Sequence, residues 1–369
     1  MSHLALYRKY RPQKFSDFVG QKHVVEAITG AISQGTISHA YLFDGPKGTG
    51  KTSMARLLAK AINCQNRKEG ESEPCNKCDS CLDINNGRAI DLLEIDAASN
   101  RGIDDIRQLR EDVNFRPVKS QYKILILDES HRLTKDAVNA LLKTLEEPPA
   151  HAVFILATTE VYNMLPTIVS RCQRFDFHNL SLEDIKKQLM KILKAEKVDY
   201  EPEALSLIAQ GAQGSMRNAE SLLDACLTLA LAHEKPMLKV EEVRGLLGLI
   251  EVEKVAGLVD LMAEGKTGEA IASLNELSGQ GISPTELSRS IVNYLRYVLL
   301  FQINPEFDSF EMMDLSPEEK EKMKKQGQGF TQEKLCSIID LFLEAQRKVD
   351  YSAISLLPLE LAVVRSIET

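Results

Sequence analysis

The sequence has 369 residues, a formal net charge of −8, and 44% hydrophobic and 27% charged residues. This length predicts two or three domains, and the negative charge argues against a protein that coats nucleic acid over its whole surface. Apolar runs fall short of the roughly 20 residues that span a bilayer and no secretory signal is evident, so we expect a cytoplasmic protein without a membrane span.

Four basic residues stand close together near the N-terminus, at Arg8, Lys9, Arg11 and Lys14. A cluster of this kind is usually a solvated surface, although it is also compatible with a local nucleic-acid face. Taken alone, it assigns no function.

A glycine-rich motif lies between a predicted strand, His39–Phe43, and a helix-forming run, Ser53–Ile62. In that context the pattern predicts a P-loop, whose backbone N–H groups bind phosphates, and not a simple glycine-rich turn. Lys51 would bridge the β- and γ-phosphates and Thr52 would ligate Mg²⁺. The motif consists of Gly45, Pro46, Lys47, Gly48, Thr49, Gly50, Lys51 and Thr52.

Four of the seven cysteines follow this helix, at Cys64, Cys75, Cys78 and Cys81. Their thiolates can close a tetrahedron around Zn²⁺ and would leave no position for a reactive water, which predicts a structural zinc module at about residues 64–81. A disulfide, disfavoured in the cytoplasm, and an iron–sulfur cluster are the alternatives. The remaining cysteines stand in apolar settings typical of buried core thiols, and they are Cys172, Cys226 and Cys336.

Short apolar runs alternate with helical segments as far as Phe177, which predicts a parallel sheet with helices on both faces. A helix capped by Thr134 is expected to end at Pro148. The predicted strands are His39–Phe43, Asp91–Ile95, Lys123–Leu127, Val153–Thr158 and Gln173–Phe177.

Two of these strands end in polar residues, and the carboxyl ends of parallel strands are where ligands bind. Asp128 suits the Mg²⁺ shell, and Glu129 can polarise the water that attacks the γ-phosphate. Thr158 is a candidate for holding the same water, although only one of Thr158 and Thr159 can face the phosphate. Arg171 and Arg217 are candidates for contacting phosphate, but their spacing alone indicates surface ion pairs.

Beyond Leu180 the strand pattern disappears and amphipathic helices with Gly, Ser or Pro breaks follow. We expect a domain at 1–179 that contains the zinc module, a small helical lid at 180–242 and an all-α domain at 243–369. The lid helices are predicted at Leu182–Lys197, Pro202–Gln210, Met216–His233 and Val240–Leu247. Further helices are indicated at Ile291–Phe301, Leu335–Phe342 and Ile354–Ile367, with a polar loop or a ragged helix at Ser316–Gln328.

The whole chain resembles the AAA+ and collar portion of the gamma/tau family, the ATPase subunits of the bacterial DNA polymerase III clamp loader. The resemblance rests on the opening Leu6–Gln21, the strand His39–Phe43, the helix Asn139–Pro149 and the four-cysteine insertion, which related archaeal and eukaryotic loaders lack. Residues Ser130 and Arg132 depart from the family's usual pattern, and the loop from Cys64 to Cys75 is slightly long.

The resemblance implies ATP hydrolysis that opens the ring-shaped beta clamp and loads it onto primer–template DNA. Arg171 would act in trans on ATP held by a neighbouring subunit, Arg217 would sense nucleotide in cis, and Thr158 would position the water. Arg11, Pro12 and Val19 are the implied adenine pocket. Implied partners are the subunits delta and delta-prime, further copies of the chain, the clamp and DNA, with helicase and polymerase contacts only in a longer form.

Two other functions share some of these features. An AAA+ nucleic-acid motor such as a branch-migration helicase would keep the P-loop but would not need the cysteine insertion. A non-catalytic loader subunit or a zinc-stabilised scaffold would have no need for the residues Lys51, Asp128 and Glu129.

Overall fold

The computed structural model describes residues 4–99, 102–231, 236–248, 250–307 and 315–368. The chain divides into two compact units, one formed by residues 1–198 with 208–225 and the other by residues 199–207 with 226–369. None of the helices within the described ranges has both the length and the apolar character needed to cross a bilayer.

The first unit contains a parallel five-stranded sheet with the strand order β2-β3-β4-β1-β5. All five predicted strands are confirmed, and no end is displaced by more than one residue. The strands are β1 (Ala40–Asp44), β2 (Leu92–Asp96), β3 (Lys123–Asp128), β4 (Ala152–Thr158) and β5 (Gln173–Asp176).

Helices cover both faces of this sheet, as predicted, because successive strand residues point to opposite sides. Tyr41 and Ile126 pack in the core under the helices that include Val24 and Leu58. Their neighbours along the strands, among them Leu42, pack on the other face against a helix at 135–146.

The helices of the first half of the chain begin and end close to the sequence signals. Thr134 accepts a hydrogen bond from the N–H of Ala137 and so caps α6 as expected. The helices are α1 (Leu6–Lys9), α2 (Lys22–Gln34), α3 (Lys51–Ile62), α4 (Asp79–Asn85), α5 (Ile103–Asn114), α6 (Lys135–Glu146), α7 (Pro166–Val169), α8 (Leu182–Glu196), α9 (Pro202–Gly211) and α10 (Met216–Ala230), with 3-10 turns at Phe15–Asp17, Ser130–Arg132 and Val161–Asn163.

The second unit is mainly helical, and its helices α12 to α17 enclose one apolar core. The expectation that strands end before residue 180 is wrong, because β6 (Asp199–Tyr200) and β7 (Met237–Leu238) form a small parallel pair. The helices are α11 (Val240–Leu247), α12 (Val252–Ala263), α13 (Thr267–Gly279), α14 (Pro284–Ile303), α15 (Pro317–Gly327), α16 (Gln332–Val349) and α17 (Leu357–Glu368).

Two predictions about this part of the chain need comment. The polar stretch at Ser316–Gln328 is a regular helix, because Ser316 and Glu319 form a reciprocal capping box at its start. The lid helix predicted at Met216–His233 corresponds to α10, and its predicted end at His233 lies outside the described residues.

The three isolated cysteines differ in their surroundings. Cys226 is buried and confirms the expectation of a core thiol, whereas Cys172 is half-buried against one core of the sheet. The expectation is wrong for Cys336, which lies exposed on α16.

Candidate functional site

A cavity of about 760 Å³ opens in the first unit beside the start of α3 and the end of β3. Most of the predicted nucleotide-binding residues line it, whereas Gly45, Pro46, Thr158 and Arg171 do not. The predicted residues in its wall are Arg11, Pro12, Val19, Lys47, Gly48, Thr49, Gly50, Lys51, Thr52, Asp128, Glu129 and Arg217.

The loop before α3 needs glycine at two positions. Gly48 and Gly50 have φ angles of +81° and +104°, a region that other residues rarely adopt. A Cβ atom at Gly48 would lie 2.0 Å from Ser215 Oγ, and one at Gly50 would lie 2.6 Å from the ring of Phe18. The backbone therefore follows a path before the N-terminus of α3 that favours glycine at these two positions.

Lys51 is the first residue of α3, and its side chain folds onto the loop. Its Nζ donates hydrogen bonds to the carbonyls of Gly45 and Pro46 at 2.6 and 2.8 Å. Burial lowers the pKa of Lys51, while the charges of Glu129, Asp128 and Asp44 act in the opposite direction. The ammonium group thus lies where the helix start, the loop and the acidic strand end converge.

Thr52 and Asp128 form a pair suited to a divalent cation. Thr52 Oγ1 donates to Asp128 Oδ2 at 2.7 Å. Two adjacent ligands of an octahedral Mg²⁺ with bonds of about 2.1 Å lie about 3 Å apart, so this oxygen pair fits one edge of that shell. The residues present therefore fit magnesium.

Glu129 follows β3 in a left-handed backbone conformation, with φ at +49°. Its Oε2 accepts a hydrogen bond from Thr159 Oγ1 at 3.0 Å and lies 3.6 Å from His131 Nδ1. The hydroxyl of Thr158 instead lies 3.0 Å from His131 Nδ1 and accepts the N–H of Glu160.

These contacts bear on the choice between Thr158 and Thr159. Its side chain is fully buried beside His131, and the neighbour on the opposite face, Thr159, carries the hydroxyl that reaches Glu129. The two-residue period of the strand allowed either choice. Sequence reasoning also missed His131, because nothing in its sequence position separates a second-layer histidine from a surface one.

The N-terminal segment and α10 form the opposite wall of the cavity. Arg217 lies on α10 with its guanidinium 5.1 Å from the centre of the Tyr7 ring. The N–H of Met216 donates to the carbonyl of Gly48 at 3.1 Å, so the start of α10 is hydrogen-bonded to the P-loop. Arg8 and Arg11 of the N-terminal basic cluster line the cavity, whereas Lys9 pairs with Glu196 at 2.6 Å.

Glu220 lies one turn further along α10 and also lines the cavity. Only 6% of the residue is exposed, and within the described part of the chain no hydrogen bond or ion pair to its carboxyl group is found. Burial raises its pKa to about 7, and the positive charge of Arg11 acts against that shift. Charged residues in an amphipathic helix are usually solvated, so the sequence pattern did not indicate that Glu220 would be buried.

Arg171 lies at the end of α7, away from the cavity. Its Nη2 donates to Glu146 Oε1 at 2.6 Å and its Nη1 to the carbonyl of Thr167 at 2.8 Å. About a third of its side chain remains exposed. The guanidinium is thus held by its own chain and is still accessible at the surface.

The four predicted zinc ligands come together around one point. One potential ligand atom from each of Cys64, Cys75, Cys78 and Cys81 lies within 4.8 Å of all the others. Sulfur atoms bonded to one Zn²⁺ at about 2.3 Å lie about 3.8 Å apart, so this spacing fits a single metal ion. Cys75 Sγ and Cys81 Sγ are 4.0 Å apart, which rules out a disulfide between them here.

Backbone groups in this cluster favour the thiolate form of Cys75. The N–H groups of Lys77 and Cys78 point to Cys75 Sγ at 3.4 and 3.3 Å. Burial raises the pKa of Cys75, but these donors outweigh it and bring the value to about 6. Burial instead raises the pKa values of the Cys64 and Cys81 thiols. A metal ion bound by all four sulfur atoms would have no open position for catalysis.

Three family models match successive parts of the chain. Residues 20–181 match the model described as DNA polymerase III, delta subunit. Residues 184–230 match the DNA polymerase III clamp loader subunit, ATPase lid domain, and residues 238–369 match DNA polymerase III subunits gamma and tau domain III.

Proteins of similar sequence match most or all of the chain. It is 40% identical to DNA polymerase III subunit tau of Bacillus subtilis over 100% of its own length and 64% of that protein. The chain is 42% identical to DNA polymerase III subunit tau of Escherichia coli, and the match covers 83% of this chain and 46% of that protein. Identity to subunit gamma of Buchnera aphidicola is 39%, covering 83% of both chains. The chain thus spans about half to two-thirds of the tau proteins that it matches.

Solved structures show more distant likenesses. The Thermotoga maritima RuvB Holliday junction branch migration motor is 18% identical, with 73% of this chain and 85% of that chain covered and a TM-score of 0.49. The Bacillus subtilis DNA clamp loader delta protein is 14% identical, with 93% and 99% covered and a TM-score of 0.39. Likenesses at this level do not extend to function.

Proposed function

The chain belongs to the gamma/tau family of DNA polymerase III subunits, and we propose that it is the ATP-hydrolysing subunit of a sliding-clamp loader. The observation that carries this proposal is the convergence of Lys51, the Thr52–Asp128 pair and Glu129 on one cavity. A non-catalytic subunit or scaffold would have no need for this set of groups.

In the proposed reaction, the P-loop N–H groups and Lys51 bind the phosphates of ATP. Thr52 and Asp128 would hold Mg²⁺, and the bound ion would supply positive charge that offsets the charge of the phosphates. Glu129 takes up the proton of the attacking water, and Thr159 orients the Glu129 carboxylate through its hydroxyl.

Two arginines have proposed roles at the γ-phosphate. Arg217 senses nucleotide in cis, supported by its place in the cavity wall above the P-loop. Arg171 acts in trans on ATP held by an adjacent subunit, supported by its partial exposure and by its absence from the lining of its own cavity. To do so, Arg171 must exchange its contact with Glu146 for the phosphate of the neighbour.

We further propose the partners that a loader requires. These are the subunits delta and delta-prime, further copies of this chain, the beta clamp and primer–template DNA, and the site of action is the cytoplasm. Contacts to helicase and polymerase belong to a longer form. The proposed domain division remains 1–179, 180–242 and 243–369, with the last domain acting as the oligomerisation collar.

The cysteine cluster is proposed as a structural zinc site. The four cysteines of the segment from Cys64 to Cys81 pack together as a cluster of their own. Metal binding by their thiolates would stabilise this segment in the way that an apolar core stabilises a larger domain. No step of ATP hydrolysis requires this ion.

A binding measurement tests the nucleotide site. Replacing Lys51 with Met removes the ammonium group and keeps the aliphatic stem, so affinity for ATP and Mg²⁺ should fall roughly 100-fold or more. Lys191→Met on the exposed face of α8 is the matched control and should bind like the wild type. Equal affinity in the Lys51→Met and control proteins would remove the basis for the proposal.

A further inference from the structure

Glu220 occupies a position that neither the phosphate chemistry nor the fold explains. It lies in the cavity wall, is 6% exposed, and has no hydrogen-bond or ion-pair partner among the residues that the structure describes. A buried carboxyl group without partners destabilises the folded protein, so its presence at a cavity wall points to a ligand that supplies the partner.

The location of Glu220 along α10 identifies which part of a nucleotide it would meet. The first turn of α10 lies on the P-loop, where Met216 bonds to Gly48 and where a Cβ at Gly48 would lie 3.3 Å from Arg217 Cβ. Glu220 follows Arg217 by three residues, on the same face and about 4.5 Å further along the helix axis. It therefore lies beyond the phosphate end of the cavity.

The cavity that Glu220 lines also has apolar side chains that suit a flat ring. Phe18, Val19 and Leu180 line the same cavity, together with Pro12 of the N-terminal segment. Arg11 provides the positive charge that influences Glu220. This combination of apolar walls and one buried acceptor is typical of a site that reads the edge of a base.

We propose that Glu220 determines base specificity, by accepting a hydrogen bond from the exocyclic 6-amino group of adenine. A guanine in the same place would present its 6-oxo acceptor to the ionised carboxylate of Glu220, so neither oxygen would have a donor and the two would repel each other. The inference rests on the proposed nucleotide site and adds a residue that distinguishes ATP from GTP.

The test measures equilibrium binding of nucleoside diphosphates to the full chain with Mg²⁺, since diphosphates avoid turnover. The ligands are ADP, GDP, purine riboside diphosphate, which lacks the 6-amino group, and 2′-deoxy-ADP. The variants are Glu220→Leu, Glu220→Gln and the control Glu183→Gln, a carboxyl-to-amide change on the exposed face of α8.

Glu220→Leu should weaken ADP binding by roughly 10- to 100-fold, the range for a lost hydrogen bond to a charged group. The affinity for purine riboside diphosphate should stay unchanged. Glu220→Gln should strengthen GDP binding, because the amide can donate a hydrogen bond to the 6-oxo group. The preference for ADP over GDP should therefore fall by at least tenfold. Glu183→Gln should bind every ligand like the wild type.

Three results would overturn the inference. The first is an unchanged ratio of ADP to GDP affinity in Glu220→Gln, and the second is an equal loss of affinity for ADP and for purine riboside diphosphate in Glu220→Leu. The third is a loss of affinity in Glu220→Leu that is seen for ADP but not for 2′-deoxy-ADP. The second would mean that Glu220 supports the wall, and the third that it contacts the ribose. A wild-type chain that binds none of the diphosphates would instead contradict the proposed nucleotide site.

Discussion

At the scale of single residues, the proposed metal ligand and the proposed catalytic base lie next to each other at the end of β3. Asp128 is held by the hydroxyl of Thr52, and Glu129 is held by Thr159 and lies near His131. Each acidic group therefore has its own hydroxyl partner, which keeps the proposed metal ligand separate from the proposed base.

The two threonines at the end of β4 should respond differently to substitution. Thr159→Val removes the hydroxyl that bonds Glu129, so turnover should fall by roughly 10- to 100-fold while ATP affinity is kept. Thr158→Val leaves His131 without that partner and should lower the free energy of unfolding by about 1–3 kcal/mol. Turnover lost in Thr158→Val and kept in Thr159→Val would restore the role first predicted for Thr158.

Glu220 should also give the ligand-free protein a pH dependence of stability. Its pKa is raised from 4.5 to about 7 in the folded state, so folding favours the protonated form. The stabilisation is complete below pH 4.5 and is lost as the pH rises through 7, amounting to roughly 3 kcal/mol. Glu220→Leu should lack this loss, and its stability relative to the wild type should therefore rise from pH 4.5 to 8.

Urea denaturation of the two proteins across that pH range measures the difference. Parallel stability curves would show that Glu220 titrates with an ordinary pKa and is more hydrated than its 6% exposure indicates.

The sequence predicted the phosphate and metal groups because they form contiguous motifs with a fixed order of strand, loop and helix. It could not predict Glu220 or choose between Thr158 and Thr159. Those assignments depend on which side chains meet across the cavity, and a helix or strand period leaves the facing partner open.

At the scale of elements, α3 connects the two proposed ion sites. It begins at Lys51 with the phosphate-binding groups and ends at Ile62, shortly before Cys64. Lys60 near its end is 2% exposed and donates to Gln13 Oε1 and Asn85 Oδ1 at 2.7 and 3.0 Å. This lysine ties the helix to the N-terminal segment and to the end of α4.

Removing the metal should unfold the cysteine module selectively. Zinc binding contributes on the order of 10 kcal/mol in isolated zinc-finger peptides, more than this short segment can replace by apolar packing. Cys78→Ser should lose bound zinc and become susceptible to trypsin at Lys68 and Lys77, which are exposed. Cys336→Ser, at an exposed site, should keep one zinc per chain.

Zinc content by mass spectrometry and the rate of tryptic cleavage at these lysines provide the readout. A Cys78→Ser protein that keeps one zinc and the cleavage pattern of the wild type would contradict the assignment of this cluster as a zinc site.

Long periodic elements were predicted well, and short ones were not. The three inner strands, β1, β3 and β4, are buried and mainly apolar runs that no competing pattern obscures. The two-residue strands β6 and β7 and the seven-residue helix α4 carry too few residues to show a period. The capping box of α15 was readable, since Ser316 and Glu319 have the required spacing, but the polar composition favoured a loop.

At the scale of the whole molecule, the central claim is that the ATPase site is shared between neighbouring subunits. Each chain would supply a cavity with Lys51 and, at its surface, an Arg171 for the next cavity. The guanidinium of Arg171 is partly exposed and so accessible for this role.

Mixing two inactive variants tests that claim most directly. Lys51→Met and Arg171→Ala chains are each assembled with delta and delta-prime, alone or together, and DNA- and clamp-stimulated ATP hydrolysis is measured. We expect each variant alone to be inactive and the mixture to regain turnover, because the intact Lys51 of one chain then meets the intact Arg171 of another. A mixture no more active than the two separate assemblies, or full turnover by Arg171→Ala alone, would contradict it.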